Sequence, residues 1–350
     1  MQDPTNPEAS DLLRRAQAGD ASAFEQLARV HRRLLHAHCY RMLGSPFDAD
    51  DALQETLLAA WRGLGSFEAR SAFRTWLISV ATRVCLRMIS KRPRRLTSLD
   101  RGMKLEATAE LGEPVPGPVW LEPVPDGELP QDDAGDDPSL TLLRREQIGL
   151  AFLALLQHLP GLQRAVLLLR DVLGYSAAET AEMLDTTIPS VNSALQRARR
   201  TVSARRPDGA GTPEARPLDE PALDRLLRDF VSAWENQDIK AMVSLLAKDV
   251  RFTMPPLPAW FDGRHFVAKF FAERVFETPW RLQPLGGNGQ RGFACYLRPA
   301  GDDRFRPGGV VLLSVHNGRI AAIDSFLDPA VGRRFGMVDE ICPGVSQEER

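Results

Sequence analysis

The 350-residue sequence has few of the features that mark secreted, membrane or disulfide-bonded proteins. Its four cysteines, Cys39, Cys85, Cys295 and Cys342, lie far apart and form no CxxC pair, so the sequence predicts neither a disulfide framework nor a zinc site. No apolar run approaches the roughly 20 residues that cross a bilayer. The first residues also lack the basic and apolar stretches of a signal peptide. These absences predict a cytoplasmic protein that makes no membrane contact.

Potential metal ligands crowd together at one place, where His31, His36, His38 and Cys39 follow one another closely. Their spacing puts no more than two of them on one helical face, which favours ordinary helix packing over a metal site. The sequence therefore predicts neither a bound metal nor a cofactor.

Net charge is also nearly absent, at −2, but this small value conceals a segregation of charge along the chain. Residues 1–95 carry 15 basic and 10 acidic side chains, and residues 144–206 carry 9 and 5. Between them, residues 96–143 carry 2 basic and 11 acidic side chains. Two basic segments joined by an acidic tether indicate a polyanionic partner, which local rather than total charge attracts.

The most specific pattern is a helix-turn-helix within residues 176–200. Ser176 and Glu179 have the spacing of a capping box, which predicts a short helix from Ser176 through Leu184. Pro189 then suits the first turn of a second helix, because the N–H that proline lacks has no helical partner there. The polar face of that helix carries Ser193, Gln196, Arg197 and Arg200. Such a face suits the major groove of DNA, and an ordinary helical hairpin with a solvated charged face is the alternative.

The first basic segment contains two further candidate surfaces. Residues 48–62 predict a helix with an apolar inward arc and a second arc that combines acids with an apolar edge. That second arc is either a solvated face or a docking face for a basic partner helix. Its members are Phe47, Asp50, Asp51, Gln54 and Leu58.

Residues 71–95 predict a long helix with seven basic residues and no acid. Trp76, Arg83 and Arg87 share one stripe of it. Arginine beside an aromatic ring suits contact with phosphates and stacking on unpaired bases. The alternative is a basic helix end that only complements the helix dipole.

Breaks in composition divide the chain into structured parts and linkers. The predicted fold class is multidomain, with two all-α helical modules followed by an α+β domain. The last domain combines two early helices with alternating strands, expected at 249–254, 291–298, 309–316 and 319–326. An apolar island at 119–121 interrupts the first linker and is expected to dock. The expected boundaries are 8–95 and 139–206 for the helical modules, 96–138 for an acidic, flexible, Pro-rich linker, 207–217 for a second linker and 218–336 for the α+β domain.

Several long segments, in order, resemble the extracytoplasmic-function (ECF) group of sigma factors in the sigma-70 family. Segment 39–61 (CYRMLGSPFDADDALQETLLAAW) resembles the region that binds the clamp helices of RNA polymerase. Segment 73–95 resembles the region that recognises and melts the −10 promoter element, and segment 169–200 resembles region four, which reads the −35 element. Segments 120–126 and 229–256 resemble a subgroup with a C-terminal SnoaL-like, cone-shaped α+β domain.

The resemblance implies roles for individual residues. Docking on core RNA polymerase is implied for Asp50, Asp51, Gln54 and Leu58. Contact with the −10 element is implied for Phe67, Arg74, Trp76, Arg83 and Arg87. Contact with the −35 element is implied for Ser190, Asn192, Ser193, Gln196, Arg197 and Arg200. The family usually has Asn in place of Arg83 and Asp in place of Arg87, so the −10 preference cannot be copied from relatives.

Cone-shaped domains of this kind hold a pocket between a curved sheet and helices, and some relatives are isomerases, cyclases or hydrolases. The candidate lining residues are Trp234, Phe252, Trp260, His316 and Asp324. Aromatic residues at such spacings are also typical of an ordinary core, and a turn position explains His316 equally well. No close pairing of an acid with a base indicates catalysis, and a small-molecule ligand stays an open alternative.

These patterns predict a sigma initiation factor that binds core RNA polymerase and selects promoters through −10 and −35 recognition, without being an enzyme. The C-terminal domain is expected to contact the sigma modules within the chain and to regulate them in cis, as a separate anti-sigma protein usually does. Two other functions stay open. One is a polymerase-independent DNA-binding regulator with a ligand-sensing domain, and the other is an isomerase- or cyclase-like enzyme on a helical DNA-binding scaffold.

Overall fold

The structure is a computed structural model that describes residues 7–68, 71–108, 110–130, 149–205 and 219–342. The chain divides into two compact units. We call the first, within Met1–Arg95 and Gly127–Arg206, the helical unit, and the second, within Leu96–Asp126 and Pro207–Arg350, the sheet unit. Within the described residues, no helix is long and apolar enough to cross a membrane.

The helices alternate with short turns in the helical unit and flank the strands in the sheet unit. In chain order they are α1 (Pro7–Gln17), α2 (Ala21–Arg29), α3 (Arg32–Leu43), α4 (Pro46–Gly63), α5 (Phe73–Lys91), α6 (Ser98–Arg101), α7 (Leu150–Gln157), α8 (Gly161–Leu167), α9 (Ala177–Met183), α10 (Ile188–Arg205), α11 (Glu220–Glu235), α12 (Ile239–Leu245), α13 (Arg264–Glu273) and α14 (Pro329–Arg334). A π-helical turn, Leu168–Val172, continues α8.

Local sequence explains where the helices of the first module begin and end. The side chain of Asp20 accepts hydrogen bonds from two N–H groups of the first turn of α2. Gly44 ends α3 with a φ of 76°, which a glycine adopts without strain. Ser45 then caps α4, and Pro46 occupies its first turn. The predicted turn at residues 44–46 is confirmed.

His38 of α3 is buried in this module and contacts Thr82 of α5. Its Nε2 is 2.8 Å from Oγ1 of Thr82, whose hydroxyl donates to the carbonyl of Ile78 at 2.7 Å. Because that hydroxyl proton is already used, the imidazole donates its Nε2–H to Thr82. Burial, together with the positive charge of Arg41, lowers the pKa of His38 from 6.5 to about 3.

We expect His38 to lower the free energy of unfolding by about 2 kcal/mol between pH 7.5 and pH 5. The unfolded chain binds a proton at this position below about pH 6.5, whereas the folded chain binds none until about pH 3. Acid therefore favours the unfolded chain across this window. Denaturant unfolding at both pH values measures the effect. The His38→Gln variant, which can still donate to Thr82, should lose it, and an unchanged pH slope in that variant would contradict the assignment.

The sheet unit contains one six-stranded sheet in the order β2-β1-β6-β5-β4-β3. The strands are β1 (Leu246–Thr253), β2 (Trp260–Asp262), β3 (Trp280–Gly287), β4 (Gln290–Leu297), β5 (Arg306–His316) and β6 (Arg319–Phe326). Strands β1 and β6 are parallel, and the other neighbours are antiparallel. The four predicted strands are confirmed within a few residues at their ends. The two edge strands, β2 and β3, were not predicted. Strand β2 is short, and β3 contains Pro284, Gly286 and Gly287, residue types that are unusual within strands.

The core of the sheet unit is a cluster of aromatic side chains between the sheet and helices α11 and α13. Trp234 makes edge-to-face contacts with Phe230 and Phe271, at centroid distances of 5.4 and 4.8 Å. Phe252 packs on Phe270 at 5.2 Å. Two of the predicted pocket residues, Trp234 and Phe252, therefore pack on other aromatic rings of this core.

The first linker needs a correction, because residues 96–126 belong to the sheet unit rather than forming a flexible tether. The apolar island docks: Trp120 and Leu121 are buried, and Trp120 forms a bridge with Leu96. Apolar side chains and backbone pairing outweigh the acidic composition of this segment, which alone suggested flexibility. The rest of the first linker from residue 131, and the second linker at 207–217, lie outside the described residues.

Candidate nucleic-acid interface

The helix-turn-helix forms as the sequence predicts. The Ser176 Oγ accepts the backbone N–H of Glu179 at 3.2 Å, and the Glu179 Oε2 accepts the N–H of Ser176 at 2.7 Å. Both halves of the capping box are present, and these hydrogen bonds hold the pKa of Glu179 below its usual range. Asp185 reverses the chain between α9 and α10 with a φ of 51°. The turn fixes the angle at which α10 is presented.

Helix α10 buries one face and presents the other to solvent. Val191, Leu195 and Ala198 are buried, as the helical spacing predicts. The predicted −35 residues on the other side are exposed or half-buried: Ser190, Asn192, Ser193, Gln196, Arg197 and Arg200. Arg199 differs from these, because it donates two hydrogen bonds to Asp171, at 2.9 and 2.6 Å. The helix therefore offers a polar face with Arg197 and Arg200 while Arg199 is held by the protein itself.

An aromatic cluster stands at the start of α5, where the predicted −10 surface begins. Phe67 and Trp76 lie with ring centroids 5.0 Å apart, and Phe73 lies 5.8 and 5.7 Å from them. Arg74 is exposed beside these rings. Phe73 is not among the residues predicted at the −10 surface, although its spacing of three residues from Trp76 places both on one helical face. Residues 69–70 of the preceding loop lie outside the described residues.

The two arginines expected at the −10 element are held by different partners. Arg87 donates to Glu55 on α4 at 2.8 Å, with both side chains exposed. Arg83 donates through Nε to the carbonyl of Met183 at 3.2 Å, and Ser79 donates to the same oxygen at 3.0 Å. Met183 is the last residue of α9, so the helix-turn-helix covers part of the predicted −10 helix.

This covered surface continues along α5 as a close contact between the two helical modules. A Cβ atom at Gly161 would lie 3.3 Å from the side chains of Leu86 and Ile89, so glycine permits the close approach of α8 to α5. Arg164 of α8 also donates to the carbonyl of Met42 in α3. We call this boundary the seam. No local sequence pattern predicts the seam, because its partners are about 100 residues apart in the chain.

Helix α4 presents the residues that the resemblance assigns to polymerase docking. Ala49, Ala52, Thr56 and Ala60 are buried, as predicted for the inward arc. On the outer side, Asp51, Gln54 and Leu58 are exposed. Asp50 is half-buried and accepts His36 Nε2 at 3.1 Å, and Asp51 lies 3.5 Å from Arg92. Acidic groups and an exposed leucine therefore share one surface.

The structure places the five residues predicted to line a pocket in different surroundings. Trp234 and Phe252 are packed in the aromatic core. Trp260 instead donates its indole N–H to the carbonyl of Gly102 at 3.2 Å. His316 stands at the end of the hairpin between β5 and β6.

Asp324 lies on the opposite side of the sheet from the aromatic core. Its neighbour Ile323 belongs to the core cluster, and successive side chains of a strand point to opposite faces. Burial raises the pKa of Asp324, against the effects of a 2.8 Å hydrogen bond from Thr253 and the charge of Arg251. This carboxyl group is therefore bonded within the sheet and does not face an acid–base partner in the core.

Comparison with known protein families matches three parts of the chain. The model for sigma-70 region 2 matches residues 27–95, and the model for sigma-70 region 4 matches residues 149–202. The model for the SnoaL-like domain matches residues 227–323. These matches cover both helical modules and most of the sheet unit in the order that the sequence predicts.

Individual relatives agree with this assignment. The ECF RNA polymerase sigma factor SigG of Mycobacterium tuberculosis is 39% identical over 328 residues, which cover 92% of this chain and 85% of SigG. SigJ of the same organism is 31% identical over 235 residues, covering 67% of this chain and 64% of SigJ. The crystal structure of SigJ has a TM-score of 0.56 at 22% identity, covering 90% of this chain and 99% of SigJ, and shows the same fold.

Proposed function

Since the chain belongs to the ECF sigma factors of the sigma-70 family, we propose that it binds core RNA polymerase, directs it to promoters and is regulated in cis by its sheet unit. The observation that supports this most directly is the exposed polar face of α10, the second helix of a helix-turn-helix whose first helix begins with a complete capping box. That face suits the major groove at a −35 element. Asp51, Gln54 and Leu58 on α4 would contact polymerase.

The −10 function is assigned to α5 and the aromatic cluster at its start. Phe67, Phe73 and Trp76 offer ring faces on which unpaired bases can stack, and Arg74 offers a charge for a phosphate. Arg83 is exposed and donates only its Nε–H to the Met183 carbonyl at the seam, whereas Ser79, which donates to the same carbonyl, is buried there. Separation of the two helical modules would therefore expose more of α5 to the promoter.

Regulation in cis would act through the chain that joins the two helical modules. The sheet unit holds this chain at three places along residues 96–126. Leu105 donates its N–H to the carbonyl of Trp260 at 2.9 Å, and Val115 donates to Pro256 at 2.9 Å. Val124 both donates to the side chain of Asn288, at 3.0 Å, and accepts its backbone N–H, at 3.1 Å. When residues 96–126 are bound to the sheet, less chain is left to span the distance between the two helical modules. This limits how far the modules can move apart.

Run-off transcription with core enzyme tests the whole proposal. The full chain should support specific initiation, and a variant truncated after Arg205 should differ from it in promoter choice or output. If core enzyme starts at the same sites with and without the protein, the initiation role is wrong. If truncation changes nothing, the regulatory role of the sheet unit is wrong.

Asn288→Gly should release residues 96–126 from the sheet without removing the sheet unit. Asn288 has a left-handed φ of 55°, which glycine adopts easily, so the turn survives while the amide that pairs with Val124 is lost. An unpaired N–H at a buried position costs about 1–3 kcal/mol. We expect limited proteolysis within residues 96–126 to become about tenfold faster. Transcription should shift in the same direction as in the truncated protein.

The matched control for this variant is Asn317→Gly. Asn317 occupies the equivalent left-handed position, with a φ of 48°, in the exposed turn between β5 and β6. This substitution should leave both proteolysis and transcription unchanged. Equal effects of the two variants would show that proteolysis and transcription depend only on the stability of the sheet. That result would contradict regulation through residues 96–126.

A further inference from the structure

Gln17, the last residue of α1, binds a turn that lies far along the chain. Its side-chain Nε2 donates to the carbonyl of Phe67 at 2.9 Å and to the carbonyl of Leu64 at 3.3 Å. A side-chain amide has two N–H donors, so both contacts can form at once. The two acceptors are 50 and 47 positions away from Gln17 in the sequence. This side chain therefore connects α1 to the chain between α4 and α5.

The bound turn is a 3₁₀ turn, Leu64–Ser66, which follows α4 and precedes the aromatic cluster. Phe67 donates its backbone N–H to the carbonyl of Leu64 at 3.1 Å and then leaves the turn in an extended conformation. An extended residue takes its carbonyl out of the helical hydrogen-bonding pattern, so that carbonyl needs another donor. Gln17 supplies this donor at the residue that carries the Phe67 ring.

The backbone of Gln17 is itself held in place. Its neighbour Ala16 is buried, and Gly19 turns the chain directly after α1 with a left-handed φ of 97°. Arg15 donates to the carboxylate of Asp20, the N-cap of α2, at 3.1 and 2.6 Å. These contacts hold the end of α1 beside the start of α2. The amide of Gln17 is therefore presented from a defined position.

Phe67 is the one member of the aromatic cluster that does not belong to α5. Its ring centroid lies 5.0 Å from that of Trp76 and 5.8 Å from that of Phe73. Helix α5 fixes the backbone of Phe73 and Trp76, whereas the 3₁₀ turn fixes the backbone of Phe67. The position of the Phe67 ring relative to the other two therefore depends on the turn that Gln17 binds.

We propose that Gln17 is a positioning residue for strand opening at the −10 element and acts through the ring of Phe67. The amide of Gln17 holds the turn, and the turn holds a ring face on which an unpaired base stacks. The match to sigma-70 region 2 begins at residue 27, so Gln17 precedes the matched segment. This inference rests on the proposed −10 function of the aromatic cluster.

The Gln17→Met variant tests the inference, because methionine has a similar shape and suits a helix but has no N–H donor. Holoenzyme assembled from the full chain and core enzyme is titrated against two labelled DNA probes. One is a single strand with the non-template −10 sequence of the promoter used for run-off transcription, and the other is a duplex with its −35 element alone. We expect Gln17→Met to weaken single-strand binding about fivefold and duplex binding by less than about twofold.

Gln26→Met is the matched control. Gln26 is an exposed glutamine of α2 whose amide donates within its own helix, to Ser22 Oγ at 3.4 Å. This substitution removes the same donor group without touching the turn, so it should leave both affinities unchanged. Thermal unfolding of the full-length variants verifies that they are folded.

Phe67→Leu shows whether Gln17 acts through this ring. Leucine keeps an apolar side chain at the buried position but removes the stacking face, so single-strand binding should weaken. The double variant Gln17→Met/Phe67→Leu should lose no more affinity than Phe67→Leu alone, because no ring is left to position. A role of Gln17 in general stability would instead add a separate loss.

Three results would overturn the positioning role: unchanged single-strand binding by Gln17→Met, an equal loss on the −35 duplex, or additive losses in the double variant. If Phe67→Leu weakens single-strand binding and Gln17→Met does not, only the positioning role is wrong. If the unaltered holoenzyme does not bind the single strand, or Phe67→Leu binds it equally well, the −10 function assigned to the aromatic cluster is wrong, and the positioning role is refuted with it.

Discussion

Replacing Leu58 by Asp should weaken binding to core RNA polymerase by about 10- to 100-fold. Leu58 is an exposed leucine on α4, beside Gln54 and close to the acidic residues of the proposed docking surface. An apolar side chain at the centre of an interface contributes about 2 kcal/mol or more when a partner covers it. A carboxylate at that position adds the cost of removing a charge from water.

Val30→Asp is the matched control for this effect. Leu58 and Val30 are 56% and 57% exposed, so both substitutions place a carboxylate at an equally accessible apolar position of the helical unit. Val30 ends α2, outside the proposed docking surface. Fluorescence anisotropy of the labelled full chain with core enzyme compares the two affinities. Equal losses, or none for Leu58→Asp, would show that this face of α4 does not contact polymerase.

Arg197→Ala should reduce −35-dependent binding by about tenfold. Arg197 lies on the exposed face of α10, one turn after Ser193, where a guanidinium can reach base edges or phosphates. A well-placed contact of arginine with guanine contributes about 1–3 kcal/mol. Binding of the holoenzyme to promoter fragments with an intact or a scrambled −35 element measures the effect, at a stated salt concentration.

Arg199→Ala is the control that distinguishes the loss of a specific DNA contact from the loss of a positive charge. It removes the same charge from the same helix, but Arg199 is bonded to Asp171 within the protein. We expect its effect on the difference between intact and scrambled −35 elements to be less than twofold. If both variants lose the same factor on both fragments, α10 contributes only a non-specific electrostatic attraction, and the assigned recognition face is wrong.

Much of the helical unit could be predicted from short-range patterns. The capping box at Ser176 and Glu179 depends on atoms three residues apart, and it forms as expected. The inward arc of α4 and the buried face of α10 also follow from helical periodicity alone. Those features need no knowledge of distant partners, because each helix has one face that must be buried.

The sheet unit shows where such reasoning stops. Composition alone indicated a flexible linker for residues 96–126, but pairing of Val124 with Asn288 makes it part of the folded unit. The aromatic residues expected around a pocket include Trp234 and Phe252, which pack on other rings instead. Periodicity shows that a side chain points inward, and only packing shows whether it meets another side chain or a cavity.

The order of the modules, the faces of α4 and α10 and the family were set by the amino-acid sequence itself, because capping, periodicity and matched segments are local properties of a chain. The tertiary structure decided which of those faces are covered. Met183 reaches Arg83 and Ser79, and Arg164 reaches Met42, only because the two helical modules pack together. Contacts between residues about 100 positions apart depend on how whole helices pack, and no local pattern encodes that arrangement.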